Sequence, residues 1–362
     1  MPKHRLTRRA ALAIGLSMPF VSTLAQTALP EVPPIPEKLQ GSGELRIATF
    51  GGFMQESQKK AYFEPFEKLS GIKVNDFAGS DFTKIKAMVD TNTVEWDLAQ
   101  VSRGSVLNLM KKGEYFEPIE YDLIDPGVGE EFRFERGLEM LVWAQVMGYR
   151  TDVFGGAIPS GWADFWDTAK FPGDRSLIGA SSGNNPELEF ALLAAGVPPD
   201  KLYPLDLDKA FASYDKIKPD VVKWWDTGAV PPQLLTDKEV VMSSVWNGRM
   251  ATLQKSGIPA AISWQQGLSK RDCWAVPKGA KNRENAMKFI AFSTMAIPQA
   301  RLSSLIPYGF VNDQSVNYMT EEQMKVLPSA PAIRSQLVPY NYQWWVDNRD
   351  TVIPRFNKWL LG

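Results

Sequence analysis

Glu44-Leu45-Arg46-Ile47-Ala48-Thr49-Phe50-Gly51-Gly52 is the stretch that decides the fold. It reads as a β-prone run that breaks on two glycines. A helix is expected next, from about Phe53 to Ser70, with Tyr62, Phe66 and Leu69 on one apolar face. Pro65 should break or kink that helix, and Gly71 should end it. The pattern then repeats. Ile72 to Phe77 reads as a second strand, Asp81 to Asp90 as a second helix and Trp96 to Val101 as a third strand. A helix from Arg103 to Lys112 should stop at Gly113. Strands and helices alternating over short connections predict an α/β fold, a parallel sheet covered by helices.

Downstream, strands are expected over residues 141–149, 239–245, 259–264 and 272–276. Helices are expected near residues 161–170, 186–195, 207–218, 231–236, 247–255, 283–294, 298–305 and 340–361. Upstream, Pro30, Pro33, Pro34 and Pro36 make residues 26–43 a proline-rich extended linker. Residues 1–25 have the three-part pattern of an export signal. Lys3, Arg5, Arg8 and Arg9 open it, an apolar run follows, and small residues end it. Thr7-Arg8-Arg9 suits the twin-arginine route without its favoured phenylalanine, and the ordinary Sec route stays open. A periplasmic protein with its signal cleaved is expected.

The chain has 362 residues, 44% hydrophobic and 22% charged, an ordinary globular balance with length for two domains. A net charge of −1 gives no reason to expect nucleic acid or an anionic membrane as partner. Cleavage of residues 1–25 removes four cations and no acid, leaving 36 cations against 41 acids. It also removes His4, the only histidine. Histidine-based catalysis and imidazole metal sites are then excluded, and Cys273 alone builds neither a disulfide nor a metal centre. No metal and no cofactor are expected. Carboxylate chemistry and simple binding survive.

Several segments, in order, resemble bacterial extracellular solute-binding proteins of ABC importers, of the spermidine/putrescine-binding type. They are Leu45–Gly52, Pro65–Val74, Trp96–Val101, Val240–Arg249 with its Trp-Asn-Gly-Arg end, Trp274–Ala280, and the tryptophans Trp344, Trp345 and Trp359. The resemblance covers residues 44–362. It implies a two-lobed periplasmic clamshell with multiple lobe crossings and a ligand cleft between the lobes. The lobes are expected at 44–148 with 273–310, and at 149–272 with 311–362. It also implies a monomer that hands its ligand to an ABC permease in the inner membrane.

In such a sheet, ligands gather where strands end and helices begin. Phe50, Gly51 and Gly52 form the first such junction, as a pocket wall or as an ordinary tight turn. Ser102 and Arg103 form the second, where serine is also a natural cap. Trp246 to Arg249 form the third. A guanidinium in a first helical turn opposes the helix dipole, so a bound carboxylate would explain Arg249; an exposed or ion-paired arginine is the alternative. Polyamine binders need acids for ammonium groups, with aromatic walls around the methylenes. Arg249 departs from that need. Asp272 is the best acid near the lobe crossing, with Trp264 and Gln265 upstream and Tyr308 near the return; a plain turn residue is its alternative role.

Arg249 with Asp272 would suit a zwitterion, so the expected ligand is a γ-aminobutyrate-like ω-amino acid or a polyamine. The same fold binding a phosphonate, a sugar or thiamine is the first alternative. A carboxylate-based hydrolase or lyase is the second, using Glu187 with Glu189 or Asp164 with Asp167. Those pairs are spaced like solvated helix faces, and no enzyme is expected.

Overall fold

The structure, a computed structural model, describes residues 29–181 and 185–362. The expected export signal lies outside the described residues. Ten strands form one sheet: β1 (Glu44–Thr49), β2 (Lys73–Ala78), β3 (Leu98–Ser102), β4 (Arg133–Phe134), β5 (Gly137–Arg150), β6 (Arg175–Ile178), β7 (Val221–Trp225), β8 (Met242–Trp246), β9 (Ala260–Ala275) and β10 (Val338–Pro339). Its order is β2-β1-β3-β9-β5-β8-β6-β7. The β2-β1-β3 flank is parallel, as the alternating sequence predicts, and so is the β8-β6-β7 flank. Between them, β9 and β5 pair antiparallel with each other and with their outer neighbours β3 and β8.

Two lobes hang on this sheet. One core gathers Leu45, Phe66, Leu98, Trp274 and Phe289; the other gathers Met147, Trp162, Phe190, Tyr214 and Phe356. Strands β5 and β9 run through both. Their register breaks between Gln145 and Met147, where the partners jump from Leu268 to Ser263. Residues 264–267 bulge out there, with Gln266 at φ 62°. The Gln266 carbonyl accepts the Trp162 indole N–H at 3.0 Å, and its own N–H donates to Gln336 O at 2.8 Å. A bulge bends a strand pair, and this one falls where the chain passes from lobe to lobe.

Some elements differ from expectation for physical reasons. Pro65 does not break its helix. Lys59–Phe63 widen into a π turn, with the Glu64 N–H reaching back to Lys59 O. Pro65 then enters the second position of Glu64–Ser70, where no N–H is needed. The expected strands 259–264 and 272–276 are one continuous strand. The prolines of residues 29–43 keep the chain extended, yet Ile35 and Leu39 are buried against the first core.

Candidate functional site

The floor between the lobes is built by β3, β9 and β5. Alternation along a strand puts residues two apart on one face. Lys270 and Asp272 therefore share a face, with Lys270 opposite Trp143 and Asp272 opposite Ser102. Asp272 is 7% exposed. It accepts the Trp143 indole N–H at 3.3 Å and the Gln100 amide at 3.4 Å, and Gln58 in turn holds Gln100 at 3.0 Å. Both bonds to the carboxylate are long, and among the described residues no cation lies in ion-pair contact with it. Burial pushes its pKa up to about 7; Trp143 and Gln100 offset this in part, and Glu139 adds to it.

The helix Asn247–Lys255 starts where β8 ends. Asn247 fastens that start to the floor: its Oδ1 accepts the Ala144 N–H at 2.9 Å and its amide donates to Pro307 O at 2.6 Å. Gly248 lies under the Tyr308 ring, and a Cβ there would stand 2.6 Å from Tyr308 Cε1, so only glycine fits. Burial raises the Tyr308 phenol to about 12; Asp272 raises it further and Arg249 lowers it. Tyr308 thus lies within the field of both charges. Arg249 is exposed and makes no hydrogen bond or ion pair among the described residues. Trp246 stands edge-on to Trp143, ring centroids 5.8 Å apart. Asp272, Tyr308, Arg249 and Trp246 are therefore drawn to one region.

The remaining expected residues are placed otherwise. Phe50 is 46% exposed on the rim after β1. Gly51 and Gly52 have φ of 88° and 59°, and a Cβ on Gly51 would press within 3.1 Å of Ala78 Cβ. Their conformation follows from that tight turn. Ser102 caps its helix, accepting the Ser105 N–H at 3.2 Å. Arg103 donates to the fully buried Glu139 at 2.6 Å, and Arg271 reaches the same carboxylate at 2.8 Å. Arg103 is therefore engaged in a buried triad. Trp264 packs on side-chain clusters around Leu253 and Phe310, and Gln265 is exposed.

Sequence reasoning missed other polar groups on the floor. Glu187 and Glu189, expected as a solvated helix face, are 1% and 0% exposed. Glu189 Oε1 accepts from the Tyr203 hydroxyl at 2.5 Å and the Trp345 indole at 2.7 Å, while its Oε2 is buried without a partner. Glu187 has no hydrogen-bond partner on either oxygen, and burial pushes its pKa up to about 8. The Lys270 charge offsets that shift in part. Lys270 is 8% exposed; its ammonium lies 5.4 Å over Trp143 and 4.5 Å over Tyr340. Burial pushes its pKa down, while Glu187 and Glu189 oppose that shift. The Gln145 amide and the Trp225 and Trp246 indole N–H groups are also buried without partners. Buried polar atoms left open in such number mark a place where something polar binds. The spacing of Lys270 two residues before Asp272 was the available signal.

Comparison with known proteins places the chain in one family. The bacterial extracellular solute-binding protein family matches residues 61–332. A gamma-aminobutyric acid-binding protein of Pseudomonas aeruginosa is 38% identical over 328 residues, covering 88% of this chain and 91% of that protein. The spermidine/putrescine-binding periplasmic protein of Escherichia coli is 25% identical over 154 residues, 42% of each chain. Among solved structures, a GABA receptor is similar at 37% identity and TM-score 0.79, covering 88% of this chain and 97% of that one. An Agrobacterium binding protein in complex with agropinic acid is similar at 33% identity and TM-score 0.74, covering 88% and 99%.

Proposed function

We propose that this chain, which belongs to the bacterial extracellular solute-binding proteins, captures a short ω-amino acid such as γ-aminobutyrate between its lobes and passes it to an ABC permease. The observation that carries this is Asp272: a buried carboxylate, thinly hydrogen-bonded, with no cationic partner of its own. A ligand ammonium supplies that partner. Arg249, whose charge also acts on Tyr308, is a guanidinium without an acceptor among the described residues and suits the carboxylate end. Trp246 offers an apolar wall for the methylenes between. The similarity to a gamma-aminobutyric acid-binding protein over most of both chains supports the same ligand class.

A polyamine is the second reading, favoured by the buried acids Glu187 and Asp272 and by the partial likeness to spermidine/putrescine-binding proteins. Arg249 and Lys270 stand against it, because each sets a fixed cation near a position where a second ammonium would lie. On the favoured reading the protein is exported with residues 1–25 removed. It acts as a monomer and returns its ligand chemically unchanged.

Calorimetric titration of ligand-stripped protein at pH 7.5 tests this. γ-Aminobutyrate should bind at least ~100-fold tighter than butyrate, which leaves the buried Asp272 unpaired, and than putrescine, which brings a second ammonium toward Arg249 and Lys270. Arg249→Ala should weaken γ-aminobutyrate by roughly 10–100-fold, the loss of a charged hydrogen bond. Tight putrescine binding that Arg249→Ala leaves unchanged would establish the polyamine reading instead.

A further inference from the structure

We propose that Lys270 is the specificity-determining residue of this cleft: its ammonium fixes the sign of the ligand end away from Asp272, admitting a carboxylate and excluding a second ammonium. This rests on the ω-amino acid reading above and names the group that enforces it.

Lys270 and Asp272 are two residues apart on one face of β9, about 6.7 Å along the strand. Trp143 connects them. Its indole N–H donates to Asp272, and its ring face lies beneath the Lys270 ammonium. Tyr340 covers that ammonium from another side at 4.5 Å. The two rings hold the cation in place without quenching it. A lysine ammonium has three donors, and among the described residues Lys270 makes no hydrogen bond and no ion pair within 4 Å. The acids that act on it are Glu187 and Glu189, and neither touches it. Glu189 is held by Tyr203 and Trp345 on one oxygen only; Glu187 is open on both. Lys270 and Glu187 influence each other without contact and both are left unsatisfied, and burial keeps Glu187 largely protonated up to about pH 8, able to donate to the same acceptor as Lys270. A group bound there must present an acceptor to Lys270.

A diamine anchored on Asp272 brings only donors. Its second ammonium meets the Lys270 charge in a desolvated cleft, where like charges some 7 Å apart weaken binding by roughly 10–100-fold. An ω-amino acid avoids that repulsion and gains an attraction of similar size.

Titration of γ-aminobutyrate and putrescine into four proteins tests the proposal: wild type, Lys270→Met, Glu187→Gln and the Glu187→Gln/Lys270→Met double variant. Methionine keeps the length and the aromatic contacts. Lys270→Met should weaken γ-aminobutyrate, strengthen putrescine and shrink the preference by about 100-fold. The double variant should show the same shrinkage relative to Glu187→Gln, and it leaves no uncompensated Glu187 charge to unsettle the fold. A preference unchanged within about threefold in both comparisons, in a wild type that still favours γ-aminobutyrate, overturns the role of Lys270 and leaves the ω-amino acid reading standing. A wild type that favours putrescine overturns both.

Discussion

Neutralising Asp272 separates its cost to the empty protein from its value to the bound one. Asp272→Asn changes one atom and keeps the shape. In the empty protein the carboxyl pKa rises from 3.8 to about 7, mainly through burial, so the ionised form is penalised by about 4 kcal/mol above neutral pH. Its two hydrogen bonds, at 3.3 and 3.4 Å, return little of that. Asparagine removes the penalty but points a donor toward the Trp143 or Gln100 N–H groups, which takes back a part. The empty variant should therefore melt at or above the wild-type temperature at pH 8. With ligand the sign reverses. A buried ammonium left without its carboxylate costs about 3–5 kcal/mol, so the γ-aminobutyrate Kd should rise by roughly two to four orders of magnitude. Calorimetric titration and scanning calorimetry on one preparation read both effects. Native affinity in Asp272→Asn would refute the assignment. A lower melting point would refute the account of its burial.

The same burial gives the empty protein a pH profile. Asp272 and Glu187 both have folded-state pKa values above their ordinary ones, about 7 and about 8. The folded state therefore holds protons that the unfolded state has released, and stability should fall as pH rises from about 5 to 8. A melting temperature flat or rising across that window would count against it. The Arg103–Glu139–Arg271 triad should behave as structure. Glu139→Gln leaves two guanidinium groups without a counter-charge, at about 3–5 kcal/mol, and the melting temperature should drop clearly; an unchanged value would show that the triad contributes nothing.

What the sequence revealed follows physical lines. The helices Arg103–Lys112 and Asn247–Lys255 fall where they were expected, because Ser102 and Gly113 bracket the first and a strand end sets the second. β6 and β7 escaped notice; they are four and five residues long, and Val221–Trp225 carries an exposed lysine and valine that blur its pattern. β9 was read as two strands because Gln265 to Arg271 is mostly polar. It is polar because one of its faces lines the cleft, and a binding face in a strand looks like a loop in sequence. Lys270 was hidden in that gap while Asp272 sat at its edge. Glu187 and Glu189 misled in the opposite direction: acids at a helix start read as solvated, though Leu188 and Phe190 beside them pointed inward.

The position of β9 also governs how the protein can be made. Gln100 and Asp272 meet across 172 residues of chain. While a nascent chain has only its first three strands, β3 shows an open edge, the kind of template on which another chain can pair. That edge closes only after residue 275 is synthesised, when β9 slots between β3 and β5. The amino-terminal lobe is thus first to be made and cannot be first to finish. A chain stopped before Ala260 lacks a central strand in both halves, so neither lobe should be recoverable as a folded fragment, and a cut in β9 should unfold the two together.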